Sequence, residues 1–139
     1  MGKAKPTGPY ANEMTGPGAW PETDETTYTN RATELGKTLA SVTESLTTWQ
    51  QHQASIFNGV HVWSGDASKA AGGAVEGATK ALQNHAQQLR DAISWCNEAA
   101  THISNAKDAI ASNVAAAQQE IHSIKQAAAR ARELRDGSR

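Results

Sequence analysis

The chain has 139 residues, a length that suits one domain with its own core and leaves no room for two. Only 5% of the residues are aromatic and the formal net charge is −1, so no overall field attracts nucleic acid or an anionic membrane. A single cysteine excludes an internal disulfide, and no apolar run approaches the roughly 18 residues of a membrane span.

Residues 1–22 hold all four prolines and four of the glycines. Such a segment is not expected to form regular helix, and we predict an extended N-terminal arm. Its lysines are followed by no apolar stretch, so it is not a Sec signal peptide. Tyr10 and Trp20 are costly to leave in water, so we expect them to dock the arm on the body of the protein. A disordered tail is the alternative.

The first helix is predicted to begin near Thr23 or Asp24, either of which can cap it, after Pro21 and among acidic residues. Asn58-Gly59 is a suitable end, because both residues tolerate left-handed backbone. Between these limits apolar residues recur in alternating steps of four and three. They form a heptad seam that comprises Tyr28, Ala32, Leu35, Leu39, Val42, Leu46 and Trp49.

The second helix is predicted to begin with Ser64 or Asp66 as its N-cap. One step of its seam slips at Val114, a stutter that locally unwinds a supercoil. No proline or glycine lies between Gly77 and Gly137, which favours one long helix bent near residues 112–113. A break into two helices at 104–105 or 112–113 is the alternative. The seam comprises Val75, Ala78, Leu82, His85, Leu89, Ala92, Cys96, Ala99, Ile103, Ala106, Ile110, Val114, Ala117, Ile121, Ile124 and Ala128.

These elements predict an all-α fold, an elongated antiparallel helical hairpin of coiled-coil type over residues 23–134, with a tail at 135–139. If residues 57 and 66 face each other across the turn, Tyr28 falls level with Trp95. Trp49 then lies opposite residue 74, where Gly72, Gly73 and Gly77 would form a notch for its indole. Beyond about residue 103 the second helix outruns the first, so either the chain folds back over the seam or another chain covers it.

Three sequence features together carry a family resemblance. They are the Trp63-Ser64-Gly65 turn between two helices, the leader with Pro6-Thr7-Gly8-Pro9-Tyr10 and Gly18-Ala19-Trp20-Pro21-Glu22, and the later stretch with Trp95, Ala106-Lys107 and Asn113-Val114. The chain resembles the WXG-type proteins of type VII (ESX) secretion. The leader is similar to secretion-associated proteins of that system in mycobacteria and related actinobacteria.

The resemblance implies a four-helix-bundle module that is completed by pairing with a second hairpin. It implies a protein partner, which could be another helical-hairpin ESX protein, an EspB-like substrate, the secretion ATPase, or a second copy. It also implies a location in the cytoplasm, or outside the cell after type VII secretion, and a Pro-rich linker and further domain after this segment. The family's export signal, Tyr-X-X-X-Asp/Glu, is missing, since Tyr10 and Tyr28 are followed four residues on by Met14 and Ala32.

Side chains that could carry chemistry show no catalytic pattern. The five histidines have no helical i, i+4 pairing with one another or with Cys96, so neither a metal site nor any other cofactor is expected. We interpret His85 as a polar layer that sets the register of the seam, and Cys96 as a small seam residue. The basic C-terminal run either favours the helix end or docks on an acidic partner. It comprises Lys125, Arg130, Arg132, Arg135 and Arg139.

The sequence therefore predicts a non-enzymatic interaction module of type VII secretion that acts as a chaperone-like or substrate-targeting domain through helix-bundle pairing. Trp63 and Gly65 would form its tip, with Trp63 either a cap of the hairpin or a contact for the machinery. The alternative is a homodimeric structural module that tethers a C-terminal effector or toxin domain.

Overall fold

The computed structural model describes residues 2–57 and 66–138 and contains three α-helices in these ranges. They are α1 (Ala11–Met14), α2 (Glu25–Phe57) and α3 (Asp66–Gly137). The described residues include no strand, which confirms the all-α class. The predicted turn at Trp63, Ser64 and Gly65 lies outside the described residues.

Helix α2 begins where its capping residue predicts. Oδ1 of Asp24 accepts hydrogen bonds from the backbone N–H of Thr26 at 2.8 Å and from the Thr26 hydroxyl at 2.6 Å. These bonds satisfy one of the backbone donors that the first turn of a helix leaves unpaired. The predicted cap at Asp24 is confirmed.

Helix α3 is continuous through both positions at which the alternative interpretation placed a break. Ser104 and Asn105, like Ser112 and Asn113, are surrounded by alanine and other good helix formers, so two polar residues do not end the helix. The alternative with two helices was wrong. The helix also includes residues 135–137, which were assigned to a tail.

The chain divides into two compact units. The middle unit is Tyr28–Glu98, and the arm unit combines Met1–Thr27 with Ala99–Arg139. Each takes part of α2 and part of α3.

In the middle unit, two contacts join α2 to α3 in antiparallel order. The rings of Tyr28 and Trp95 meet edge to face with their centroids 5.7 Å apart, as the predicted register requires. Further along α2, the indole N–H of Trp49 donates to Oγ1 of Thr79 at 2.9 Å.

The burial of the middle unit follows the heptad seam. Each seam position of α2 from Tyr28 to Trp49 is buried or half-buried, and most positions between them are exposed. Ala32 is buried, and the larger seam residues are only half-buried: Leu35, Leu39, Val42 and Leu46 in α2, with Leu82 and Leu89 in α3. With only α2 and α3 packed together, each of these leucines is shielded on one side and keeps part of its surface exposed.

The interpretation of His85 as a buried polar layer was wrong. His85 is exposed, and the adjacent Ala86 is buried with 1% of its surface accessible. Both positions lie near the stripe that joins Leu82 to Leu89, because 3.6 residues make one helical turn. Burying an imidazole without a hydrogen-bond partner costs free energy, so the smaller alanine faces inward.

The glycine notch is not present either. A Cβ added at Gly72, Gly73 or Gly77 would meet no atom within 4 Å among the described residues, so none of them receives an indole. Trp49 instead bonds to Thr79, five residues beyond the predicted position 74. A long side chain with an N–H donor reaches the nearest acceptor, and glycine offers no such group.

The N-terminal arm is not extended throughout, because α1 forms within it. Pro9 and Pro17 flank this turn of helix and do not interrupt it. Tyr10 precedes α1 with left-handed backbone (φ 62°), and Ala11 and Thr15 are buried. The hydroxyl of Thr15 donates to the carbonyl oxygen of Ala11 at 2.7 Å and closes the turn.

Candidate functional site: the docked arm and the helical seams

In the arm unit, the N-terminal arm lies against α3. Trp20 is 7% exposed, and the ammonium of Lys107 lies 5.7 Å from the centroid of its ring. Lys107 is itself buried, with 3% of its surface accessible. The contact combines an apolar face of the arm with a cation from α3, the arrangement in which a cation and an aromatic ring attract.

Glu25, the first residue of α2, balances the charge of Lys107. The ammonium of Lys107 donates to Oε2 of Glu25 at 2.7 Å, and the backbone N–H of Lys3 donates to Oε1 at 2.6 Å. These donors favour the ionised carboxylate. The hydrogen bond from Lys107 is the largest cause that lowers the pKa of Glu25 from its usual value, and the backbone N–H of Glu25 itself and then that of Lys3 add to it.

The side chain of Lys3 ties the start of the arm to the next residue of α3. Its ammonium donates to both carboxylate oxygens of Asp108, in an ion pair whose side chains are 42% and 60% exposed. Such an exposed pair adds little stability by itself. Its role is positional, because it holds the backbone of Lys3 where its N–H reaches Glu25.

The arm follows α3 further toward its C-terminus. The amide nitrogen of Gln118 donates to the carbonyl oxygens of Thr7 and Pro9, both at 3.0 Å. Between them Gly8 has a φ of 100°, and a Cβ there would lie 3.2 Å from the same amide nitrogen. Glycine therefore permits both the backbone conformation and the close approach.

Tyr10 and Lys125 form the last contact of the arm along α3. The ammonium lies 5.1 Å from the centroid of the tyrosine ring, and Tyr10 is 43% exposed. The structure thus places both arm aromatics, Trp20 and Tyr10, over lysines of α3. The arm spans residues 107–125 of that helix, where the sequence left open whether the chain folds back or another chain covers the seam.

Beneath the arm, the seam of α3 is covered unevenly. Val114 is 3% exposed, Ile103, Ile110 and Ile121 are half-buried, and Ile124 is 66% exposed. Ala106 is exposed, so its assignment to the seam was wrong, and the seam position Ala128 is exposed as well. The neighbouring Lys107 faces inward in place of Ala106 because Glu25 and Trp20 satisfy its charge.

Sequence reasoning missed Lys107, Glu25 and Gln118 as contacts of the arm. A charged residue directly beside a seam position, beyond the predicted reach of the first helix, was the available signal for Lys107. Its partner Glu25 could not be singled out, because several acidic residues near the start of the helix are equally suited to that position.

In the middle unit, a small polar network surrounds the indole of Trp49. Oγ1 of Thr79 accepts the indole N–H, and the threonine hydroxyl donates to the carbonyl oxygen of Val75 at 3.0 Å, with Oε1 of Gln53 a second acceptor at 3.4 Å. An open depression of about 420 Å³ lies beside this ring on α2. Its lining residues are Ser41, Glu44, Ser45, Thr48, Trp49 and His52.

Neither metal-binding clusters nor membrane spans are found among residues 2–57 and 66–138. No group of three or more His, Cys, Asp or Glu side chains could hold a metal ion there. No helix of this part is long and apolar enough to cross a bilayer. Cys96 is free and buried.

Comparison with known proteins shows that the chain is similar in sequence to part of a secretion-associated protein. It is 40% identical over 121 residues to the ESX-1 secretion-associated protein EspK of Mycobacterium tuberculosis (strain CDC 1551 / Oshkosh). The matched region covers 87% of this chain and 17% of that protein. Neither a family model nor a solved structure matches the chain.

Proposed function

We propose that this chain is a non-enzymatic protein-interaction module of type VII secretion, on the premise of its similarity to an ESX-1 secretion-associated protein. The chain spans about a sixth of the length of that relative, so the module would be one part of such a protein. In this proposal it acts as a chaperone-like or substrate-targeting domain.

The observation that carries the pairing mechanism is the incomplete burial of the seam. Leu35, Leu39 and Leu46 of α2 and Leu82 and Leu89 of α3 are all half-buried, and no large side chain of the described residues is fully buried. Removing the remaining apolar surface from water contributes about 25 cal/mol per Å². A second pair of helices would supply this cover and complete a four-helix bundle.

The hairpin geometry and its tip belong to the same proposal. The antiparallel order of the Tyr28–Trp95 and Trp49–Thr79 contacts supports a hairpin, whose Trp63-Ser64-Gly65 turn would face the secretion machinery. Candidate partners are another helical-hairpin ESX protein, an EspB-like substrate, the secretion ATPase, or a second copy.

The alternative, a homodimeric tether for a C-terminal effector or toxin domain, draws on the same half-buried leucines, since a second copy would cover them equally well. Light scattering separates the two functions when it is combined with capture from a mycobacterial lysate and identification of the captured proteins by mass spectrometry. We expect a named ESX-1 component to be captured.

A matched pair of substitutions sharpens this experiment. Leu39→Asn changes a half-buried seam position, and Ala40→Asn changes its exposed neighbour on the same helix. We expect Leu39→Asn to lose the ESX-1 component and Ala40→Asn to retain it, with equal helical circular dichroism. A monodisperse homodimer that captures no ESX-1 component would overturn the secretion role.

A further inference from the structure

Apart from the contact of Lys125 with the ring of Tyr10, the last turns of α3 form a surface that the rest of the described chain leaves exposed. Every residue from His122 to Ser138 is exposed, although the helix continues to Gly137. This is about four turns of helix. An isolated helix of that length is only marginally stable in water, and most helical stability in proteins comes from packing of one face.

One side of these turns is an apolar stripe at helical spacing. Ile124 is 66% exposed and Leu134 is 76% exposed. Exposed alanines connect these two residues along the same face, with half-buried Ile121 at the N-terminal end of the stripe. The stripe comprises Ile121, Ile124, Ala127, Ala128, Ala131 and Leu134.

The stripe and its flanks carry an excess of positive charge. From residue 121 to residue 138 four cations stand against two carboxylates, a net charge of +2 in a chain whose overall charge is −1. The two ion pairs of the described residues use Lys3 and Lys107, so Arg130, Arg132 and Arg135 belong to neither. The helix dipole accounts for Arg135 in the last turn, but its effect is confined to that turn and does not reach Arg130.

We propose that the stripe from Ile121 to Leu134 is a docking site for an amphipathic helix of a partner protein, with large apolar residues along its seam and Asp or Glu beside them. The alanines leave shallow positions that large side chains of the partner would fill, and they allow the helix axes to approach closely. The proposal deepens the proposed function, on which it rests, by assigning a chemistry to the partner.

Charge argues against a second copy as the occupant. With Ile121, Ala128 and Arg135 at equivalent heptad positions, Lys125 and Arg132 both fall on one flank of the seam. An antiparallel copy would place these two cations opposite each other. A parallel copy would place Arg135 against its own counterpart. Like charges at such positions are unfavourable, whereas acidic residues of a different chain would pair with all three.

The shape of the stripe argues against a lipid surface. Helices that lie in a membrane interface insert large apolar groups such as Trp, Phe and Leu. Here three of the six stripe residues are alanine, and Glu133 and Asp136 lie among the cations. The stripe therefore suits a narrow helix seam better than a bilayer.

The test uses the full 139-residue chain and two labelled 21-residue peptides with leucine at both seam positions of three heptads. One peptide has Glu at the flanking positions and the other has Lys, and fluorescence anisotropy measures binding. We expect the Glu peptide to bind at least ten-fold more tightly than the Lys peptide, with an affinity that falls as salt is raised. Equal binding of the two peptides, or no binding of the Glu peptide, would overturn the proposal.

Charge reversal locates the site. The double variant Arg132→Glu, Arg135→Glu should lose at least ten-fold in affinity for the Glu peptide and gain affinity for the Lys peptide. The matched control Lys80→Glu, Arg90→Glu reverses two exposed cations in the middle-unit part of α3 and should change neither. Unchanged affinity in the first variant would mean that the peptide binds elsewhere.

Two further measurements separate the other occupants. Sedimentation of the chain at rising concentration detects a dimer, and one that Ile124→Ser abolishes would identify a second copy as the occupant. Flotation with anionic phosphatidylserine vesicles detects lipid binding, and binding that the Arg132→Glu, Arg135→Glu variant loses would identify a membrane. Either result overturns the proposal. None of these measurements uses an ESX-1 component, so the proposed function and this site can fail separately.

Discussion

The ammonium of Lys107 lies 2.7 Å from Oε2 of Glu25, and only 4% and 10% of the two side chains are exposed. The residues are 82 positions apart in sequence, so the pair joins the start of α2 to a distant part of α3. Trp20 and the backbone N–H of Lys3 complete the shell around the two charges. The pair is the point at which the arm, α2 and α3 meet in the arm unit.

Replacing Lys107 by methionine should loosen the arm. The substitution leaves the Glu25 carboxylate without its main donor, and a charge that loses its partner is worse than a pair that is absent altogether. We expect a lower melting temperature and a red shift of tryptophan emission as Trp20 gains water. Lys80→Met, at an exposed position of α3, should change neither.

The double variant Glu25→Gln, Lys107→Met provides the internal check. It removes both charges, so its loss of melting temperature should be smaller than the sum of the losses in the two single variants. Strictly additive losses would mean that the two side chains act independently.

The pKa of Glu25 predicts the acid sensitivity of the fold. Because the hydrogen bond from Lys107 lowers this pKa in the folded state, the contribution is complete above the ordinary glutamate value of 4.5 and is lost as pH falls through the depressed value. The urea midpoint should therefore fall as pH is taken from 5 toward 3.

Glu25→Gln should have a smaller acid loss in this range, although its stability at pH 7 is also lower. A residual slope is expected from Asp24, whose pKa is lowered from 3.8 by the hydroxyl and N–H of Thr26. Parallel pH profiles for Glu25→Gln and the unmodified chain would contradict the assignment.

Val114→Ala should destabilise the arm unit by about 2 kcal/mol. Val114 is 3% exposed beneath the arm, and the substitution removes buried methyl groups and leaves a small cavity. Ile124→Ala removes more atoms from a side chain that is 66% exposed and should cost under about 0.5 kcal/mol. Chemical denaturation gives both free energies of unfolding. A larger loss for Ile124→Ala than for Val114→Ala would mean that the seam is not buried at Val114.

Thr79→Val should cost about 1 kcal/mol, since it keeps the side-chain shape but removes the acceptor for the Trp49 indole N–H. Thr47 provides the control, because its exposed hydroxyl bonds only to a carbonyl of its own helix, that of Thr43. Thr47→Val should stay within about 0.5 kcal/mol. Thermal unfolding followed by circular dichroism measures the loss of stability in both variants. Equal losses would mean that the polar network around Trp49 does not stabilise the middle unit.

Trp63→Ala tests the proposed tip, which lies outside the described residues. We expect helical circular dichroism to stay nearly unchanged while capture of an ESX-1 component falls. A large loss of helical signal would instead make Trp63 a residue of the core.

Local patterns were sufficient for part of this fold. The cap at Asp24, the presence of two long helices and the half-buried seam from Tyr28 to Trp49 depend on backbone donors and on a helical period within a few residues. These relationships are carried by neighbouring residues, so a single sequence contains them.

Contacts of the arm could not be predicted in the same way. The choice of Gln118 as the donor to Thr7 and Pro9, and of Lys125 as the cation over Tyr10, depends on the path of the arm across a distant helix. The short helix α1 within that arm was likewise missed, because the prolines that suggested an extended chain flank it.

By itself the sequence determined an all-α chain, the placement of α2 and α3, and a seam at heptad spacing, because helical period and capping are local properties of the chain. Only the tertiary structure decided that Ala86 faces inward in place of His85, and Lys107 in place of Ala106. Adjacent residues lie about 100° apart on a helix, so either can border the same stripe. Which of the two adjacent residues faces inward depends on the side chains that pack against it. For Lys107 the deciding side chain is that of Glu25, 82 residues away.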